Sequence, residues 1–198
     1  SERDGRLLGE CFLHLQDLQA DPDLIRFTLR SAILPAAGTY RREFLLAAGA
    51  YREDLWQSED YEFHVRLAEQ GARYRALTEP LVLVRVRNAS RSQDFQEVWR
   101  CRLKGLDLLA PRLRLQYGPE LAEAYSHVGS TLHRLGDPDA AKRAFGQASQ
   151  LGRAQYSGQQ ALYRTVAHLF GPMAAEWLGT WYRKLLPAAL RRSLRISN

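Results

Sequence analysis

The sequence predicts an α/β segment with few strands, followed by an all-α region, and so a chain that is mostly helical overall. Three observations carry this fold class. Leu81-Val82-Leu83-Val84-Arg85-Val86 is apolar and β-branched, the pattern of a strand. From about Phe95 onward the apolar residues recur at helical spacing, with no convincing strand. Gly136-Asp137-Pro138-Asp139 separates two such stretches as a helix–helix turn. The chain therefore divides near residue 92, into regions 1–92 and 93–198.

In the first region, Leu7, Leu8, Cys11, Phe12, Leu15 and Leu18 share helical spacing. Pro22 interrupts them, and Asp21 is placed to cap a second helix through Leu24, Ile25 and Leu29. A strand is expected around Gly38–Arg41, then a short helix over Arg42–Ala48 stopped by Gly49. Tyr51–Gln57 reads as a loop. Ser58 is the expected N-cap of the next helix. Glu59 and Asp60 occupy its first turn, where the helix dipole favours negative charge. Phe63 and Leu67 share a face, Glu62 can pair with Arg66 four residues on, and Gly71 ends the helix. Asn88–Ser92 is a polar loop. In the second region, Val98, Leu103, Leu106 and Leu109 run up to Pro111. Leu121–Leu135 and Asp139–Leu151 flank the turn. Helices over 159–170 and Pro172–Leu186 follow, then Pro187 and a short basic end.

Composition excludes several classes. The chain has 198 residues, 45% hydrophobic and 25% charged, which rules out collagen-like, low-complexity and wholly disordered readings. No apolar run is long enough to cross a bilayer as a helix. Cys11 and Cys101 lack CxxC spacing and read as ordinary buried small residues, so a reducing, cytoplasmic setting is expected. His14, His64, His127, His133 and His168 form no metal-ligand pattern. No Ser/His/Asp arrangement, P-loop or dinucleotide fingerprint is present. The net charge is +6, and Arg183, Lys184, Arg191, Arg192 and Arg195 crowd the end with no acid among them. With no nucleic-acid module in the chain, such an end fits an anionic membrane surface better than nucleic acid. Ser1-Glu2-Arg3-Asp4 lacks an initiator Met and signal-peptide character, so the chain is expected to begin inside a longer protein.

The most informative stretch runs from Ile33 to Ser92. It holds Pro35, Tyr40-Arg41-Arg42, Gly49-Ala50-Tyr51, Leu55, Ser58-Glu59-Asp60-Tyr61-Glu62-Phe63, Val65-Arg66-Leu67-Ala68, Gly71, Glu79-Pro80-Leu81 and Arg85-Val86-Arg87-Asn88-Ala89-Ser90-Arg91-Ser92. This ordered series resembles the C-terminal half of the catalytic domain of family 2 glycosyltransferases. The resemblance implies that 1–92 is the acceptor-side half of a GT-A-like domain. Ala50 replaces the second Gly of the family's loop, Tyr51 its Phe, and Arg87 its usual His. Arg is not a metal ligand at ordinary pH, so Arg87 points instead to a diphosphate. The family's Asp-x-Asp donor motif is not found in its expected context. Asp21-Pro22-Asp23 and Asp137-Pro138-Asp139 read as turns and helix caps.

The resemblance further implies inverting sugar transfer from a nucleotide-sugar donor to an acceptor hydroxyl on a glycan or lipid-linked acceptor. Asp60 matches the general base, and Glu59 would orient the loop or raise the Asp60 pKa by like-charge repulsion. Trp56, Tyr40 and Arg41 are candidate substrate contacts. Arg85, Arg87 and Arg91 are candidates for the leaving diphosphate. A divalent metal, Mg or Mn, is expected only in a full-length enzyme, none being held by these residues, and the chain alone is expected to be inactive. The rival reading is a non-catalytic helical interaction or membrane-surface module carrying a relic glycosyltransferase segment.

The helical region carries a further resemblance. Tyr125-x-x-Val128-Gly129-x-x-Leu132, the Gly136–Asp139 turn, Ala140-Ala141, Phe145 and Ala148 look like one tetratricopeptide repeat over about 121–152. One repeat cannot bury its face alone, so this hairpin is expected to pack on the first region, or to meet a protein partner. Trp177, Trp181 and Leu185, with Leu178 and Leu186, line one side of the last helix. This stripe either anchors 172–195 at the inner face of a membrane or closes the helical bundle.

Overall fold

The computed structural model describes residues 18, 22–77, 79, 81–83, 93–152 and 161–185. Among these residues there are eight α-helices, a single 3-10 turn and no β-strand. The helices are α1 (Leu24–Arg30), α2 (Arg42–Ala47), α3 (Glu59–Glu69), α4 (Phe95–Leu113), α5 (Gly118–Arg134), α6 (Pro138–Gln150), α7 (Ala161–Phe170) and α8 (Pro172–Leu185). The chain is mostly helical, as its sequence predicts.

The local signals explain most boundaries. Asp23, rather than Asp21, caps α1: its carboxylate accepts from the Ile25 and Arg26 amides at 3.1 Å. Gly49 stops α2 with φ +80°, and Gly71 follows α3 with φ +79°, both left-handed values that glycine adopts freely. Asp137 caps α6 by accepting from the Ala140 amide at 3.1 Å. Pro111 does not end α4, which continues to Leu113. Its missing N–H costs only the bond to the Asp107 carbonyl, one turn from the helix end.

Two expectations of strand fail for the described residues. Pro35–Ala37 form the 3-10 turn, and Gly38 and Arg41, at the two ends of the expected strand, are extended but in no ladder. Leu81–Leu83 carry no strand either, and Leu83 is 89% exposed. An extended segment becomes a strand only when a ladder partner supplies its hydrogen bonds, and none of the described residues does so. Val84–Val86, the helix expected over residues 7–18 apart from Leu18, and residues 159–160 lie outside the described residues.

The main core is continuous. Leu29, Tyr61, Val65, Leu106, Leu109, Leu121, Tyr125, Leu132 and Phe145 join α1, α3, α4, α5 and α6. A second, smaller core gathers Phe63, Leu67 and Ala48 against Tyr40, Phe44 and Leu45. Helix α3 lies between the two, so Tyr61 and Val65 serve one core while Phe63 and Leu67 serve the other. That position explains why Glu62 and His64 are also buried, each 1% exposed.

The α5–α6 hairpin is the most extensive helix pair. Its close approach rests on Gly129, where a Cβ would lie 3.0 Å from the Phe145 ring. Helix α5 also packs on α1, α4 and α8, so the hairpin is built into the bundle. Ion pairs lace the outside: Arg26 with Glu120 at 3.0 Å, Arg30 with Glu123 at 3.1 Å and Arg112 with Glu69 at 2.9 Å. Such partly exposed pairs are worth about 0–1 kcal/mol each, so the apolar core decides stability.

The last helical pair, α7 and α8, turns at Gly171. It is tied to itself by Tyr163, whose hydroxyl donates to Glu176 at 2.6 Å. Here the bundle-closing expectation is corrected for the tryptophans. Ala175 and Glu176 face inward, whereas Trp177 is 65% and Trp181 53% exposed.

Candidate functional site

The acidic pair begins α3, and the loop before it is fastened to α4. Lys104 donates to the Asp54 carbonyl at 2.6 Å, and Arg52 pairs with the Asp54 carboxylate at 2.8 Å. Ser58 occupies the N-cap position, but its hydroxyl does not cap. Its φ of +55° turns the side chain to donate to the Val98 carbonyl at 3.0 Å. Helix α3 therefore starts from a point pinned to α4.

Asp60 is half-buried, and its Oδ1 accepts from the Tyr61 amide at 2.8 Å. Burial raises its pKa above the ordinary 3.8, and the neighbouring Glu59 charge adds to the rise. The Tyr61 amide and the Arg102 guanidinium oppose it. The like-charge effect expected of Glu59 is thus present, but burial is the larger cause. Arg102 escaped the sequence reading altogether. It comes from α4, over forty positions away, and stacks on the Tyr61 ring at 3.7 Å and on the Trp99 ring at 5.3 Å. Its only sequence signal is that it follows Trp99 by one helical turn.

An aromatic cluster lies on the other side of α3. Tyr40 meets Phe63 edge-on at 5.7 Å, and Tyr51 lies 4.5 Å from the same ring. Tyr40 and the His64 Nε2 are 2.6 Å apart, a short hydrogen bond. Burial holds both the Tyr40 and Tyr51 hydroxyls above the usual tyrosine range, and the Asp60 charge adds to both shifts. Tyr40 and Tyr51 therefore sit within the electrostatic reach of Asp60. Burial lowers the His64 pKa, keeping its imidazole neutral, and its buried Nδ1 makes no hydrogen bond.

The loop between α2 and α3 is shaped by Arg66. Its guanidinium pairs with Glu62 at 3.0 Å, as the four-residue spacing predicts. It also donates to the Ala48 carbonyl, and to the Ala50 carbonyl at 2.5 Å. These bonds hold Gly49 and Ala50 in consecutive left-handed conformations, with φ +80° and +50°. Ala50 stands where the resembling family has glycine, and its backbone has the conformation for which glycine is suited.

The other expected site residues are placed as follows. Trp56 lies on the tethered loop and is 64% exposed. Arg41 is exposed at the start of α2. Arg85, Arg87 and Arg91 lie outside the described residues. The structure thus places Glu59 and Asp60 at the start of α3, with the Arg102 charge acting on Asp60, and Tyr40 and Tyr51 in the aromatic cluster around Phe63. Among the described residues no three His, Cys, Asp or Glu side chains converge as a metal-ligand set. No protein-family model, curated protein or solved structure matches the chain.

Proposed function

We propose that 1–92 is the acceptor side of an inverting, family 2-like glycosyltransferase, a GT-A-like half-domain whose donor side is supplied by sequence outside these 198 residues. In the reaction, the acceptor oxygen forms its bond to the anomeric carbon as the bond to the nucleotide diphosphate breaks. The electron pair leaves with the diphosphate, and Asp60 takes the hydroxyl proton. The observation that carries this reading is the Asp60 environment. Burial strengthens it as a base, while Arg102 and the Tyr61 amide keep its anionic form accessible. Its position on α3, held between two cores, fixes the carboxylate in space.

Glu59, Tyr40, Tyr51 and Trp56 flank the acceptor in this reading, and Arg85, Arg87 and Arg91 meet the leaving diphosphate. A nucleotide-sugar turnover assay tests it, run on the 198-residue chain and on the protein that includes its upstream sequence. Turnover is expected only in the longer protein. Robust turnover by the 198-residue chain, or none by either, overturns the proposal.

The rival is a non-catalytic helical module that meets a protein partner through the α5–α6 hairpin. It draws on the size of that helix pair, but α1, α4 and α8 already pack on α5.

A further inference from the structure

We propose that the α7–α8 pair presents a docking surface for an anionic lipid bilayer. The first observation is an unpartnered apolar face. Trp177 and Trp181 are four residues apart, one helical turn, and both are more than half exposed. Leu169 and Phe170, at the end of α7, are 68% and 74% exposed. Tryptophan is the side chain best suited to a membrane interface, where its apolar ring and its N–H meet different surroundings.

Charge identifies the occupant. Between residues 151 and 198 there are seven Lys and Arg residues and one acid, Glu176, so this end carries the whole net charge of +6. That acid is withdrawn from the surface. Glu176 is 3% exposed and accepts the Tyr163 hydroxyl at 2.6 Å. Among the described side chains beyond residue 160, the exposed Arg164 is the formal charge that remains, and the sequence adds Arg183 and Lys184. Arg191, Arg192 and Arg195 follow in sequence. Exposed apolar rings in a stretch of sequence whose cations far outnumber its acids match a surface of acyl chains and anionic headgroups. A nucleic acid would use the cations but leave Leu169 and Phe170 exposed.

Flotation of the full chain with lipid vesicles tests this. The vesicles are phosphatidylcholine alone, or phosphatidylcholine with about a third phosphatidylglycerol. The expected result is binding at least about tenfold stronger to the anionic vesicles, reversed by about 0.5 M salt, with a blue shift of tryptophan emission. The double variant W177S/W181S is expected to lose at least about tenfold in binding at unchanged circular dichroism, whereas W177F/W181F retains most of it. Replacing Arg183, Lys184, Arg191, Arg192 and Arg195 by Gln is expected to abolish the preference for anionic vesicles. Equal binding to both vesicles overturns the proposal, as does full binding by W177S/W181S. Binding of duplex or single-stranded nucleic acid without vesicle binding overturns it too. So does a dimer in sedimentation, present without lipid and lost in W177S/W181S, because the tryptophans would then cover a second copy.

Discussion

Arg66 satisfies three acceptors at once: the buried Glu62 carboxylate and the carbonyls of Ala48 and Ala50. Removing it leaves Glu62, whose side chain is 2% exposed, as an unpaired buried charge. Arg66→Ala is expected to cost about 3–5 kcal/mol in urea unfolding, and a loss below about 1 kcal/mol would show that the pair behaves as a surface one. Ala50 pays the strain of its left-handed backbone, with φ +50°. Ala50→Gly is therefore expected to raise stability by about 0.5–1 kcal/mol, and a loss would contradict the strained geometry. Asp60 and His64, both on α3, have opposite shifts with a shared cause, burial. His64 is held below its ordinary value of 6.5 because burial disfavours the imidazolium. Its contribution is intact above pH 6.5 and is lost as the pH falls through the lowered folded value, since the unfolded chain then binds the proton first. His64→Gln is expected to flatten that acid-side loss in a melting-temperature profile. For Asp60, raised above 3.8, the sign reverses: its stabilising share is present below that value and lost as the pH rises through the folded value. Asp60→Asn is expected to melt no lower than the parent at pH 7, so the variant reports on chemistry without unfolding the site.

At the scale of elements, the α5–α6 pair offers a controlled comparison. Gly129 meets the Phe145 ring, whereas a Cβ on Gly146 of α6 would meet nothing within 4 Å. Gly146→Ala is expected to gain about 0.5–1 kcal/mol from helix propensity. Gly129→Leu is expected to lose more than about 2 kcal/mol by overpacking. Equal effects in thermal unfolding would mean that the two helices are not in close contact. The same pair shows why helices were legible here. The Gly136–Asp139 turn, the Asp137 cap and the small residues at 129, 141 and 148 are local signals, readable from neighbours in sequence. The acidic start of α3 and the Glu62–Arg66 spacing were legible for the same reason. Arg102 was not, because its meeting with Tyr61 depends on how α3 packs against α4. Gly38–Arg41, and Leu81–Leu83 of the strand expected over Leu81–Val86, find no ladder partner among the described residues: strand-like composition is local, but a ladder partner is not. Ser58 stands at the N-cap as expected, yet tertiary structure redirects its hydroxyl to Val98.

At the scale of the described molecule, α3 is the element that joins the two cores. It lies between the main core and the smaller aromatic core, receives Arg102 from α4, and is fastened to α1 by the Tyr61 hydroxyl donating to the Leu29 carbonyl at 2.9 Å. In the proposed reaction, the partly desolvated Asp60 carboxylate is the group that accepts the acceptor's proton. The most direct test compares turnover of the parent and of Asp60→Asn with a nucleotide-sugar donor, in the longer protein that the proposed function calls for. The account predicts a fall of about two to four powers of ten in kcat with no fall in melting temperature. Near-normal kcat in the Asn variant would contradict it and remove Asp60 from the role of base.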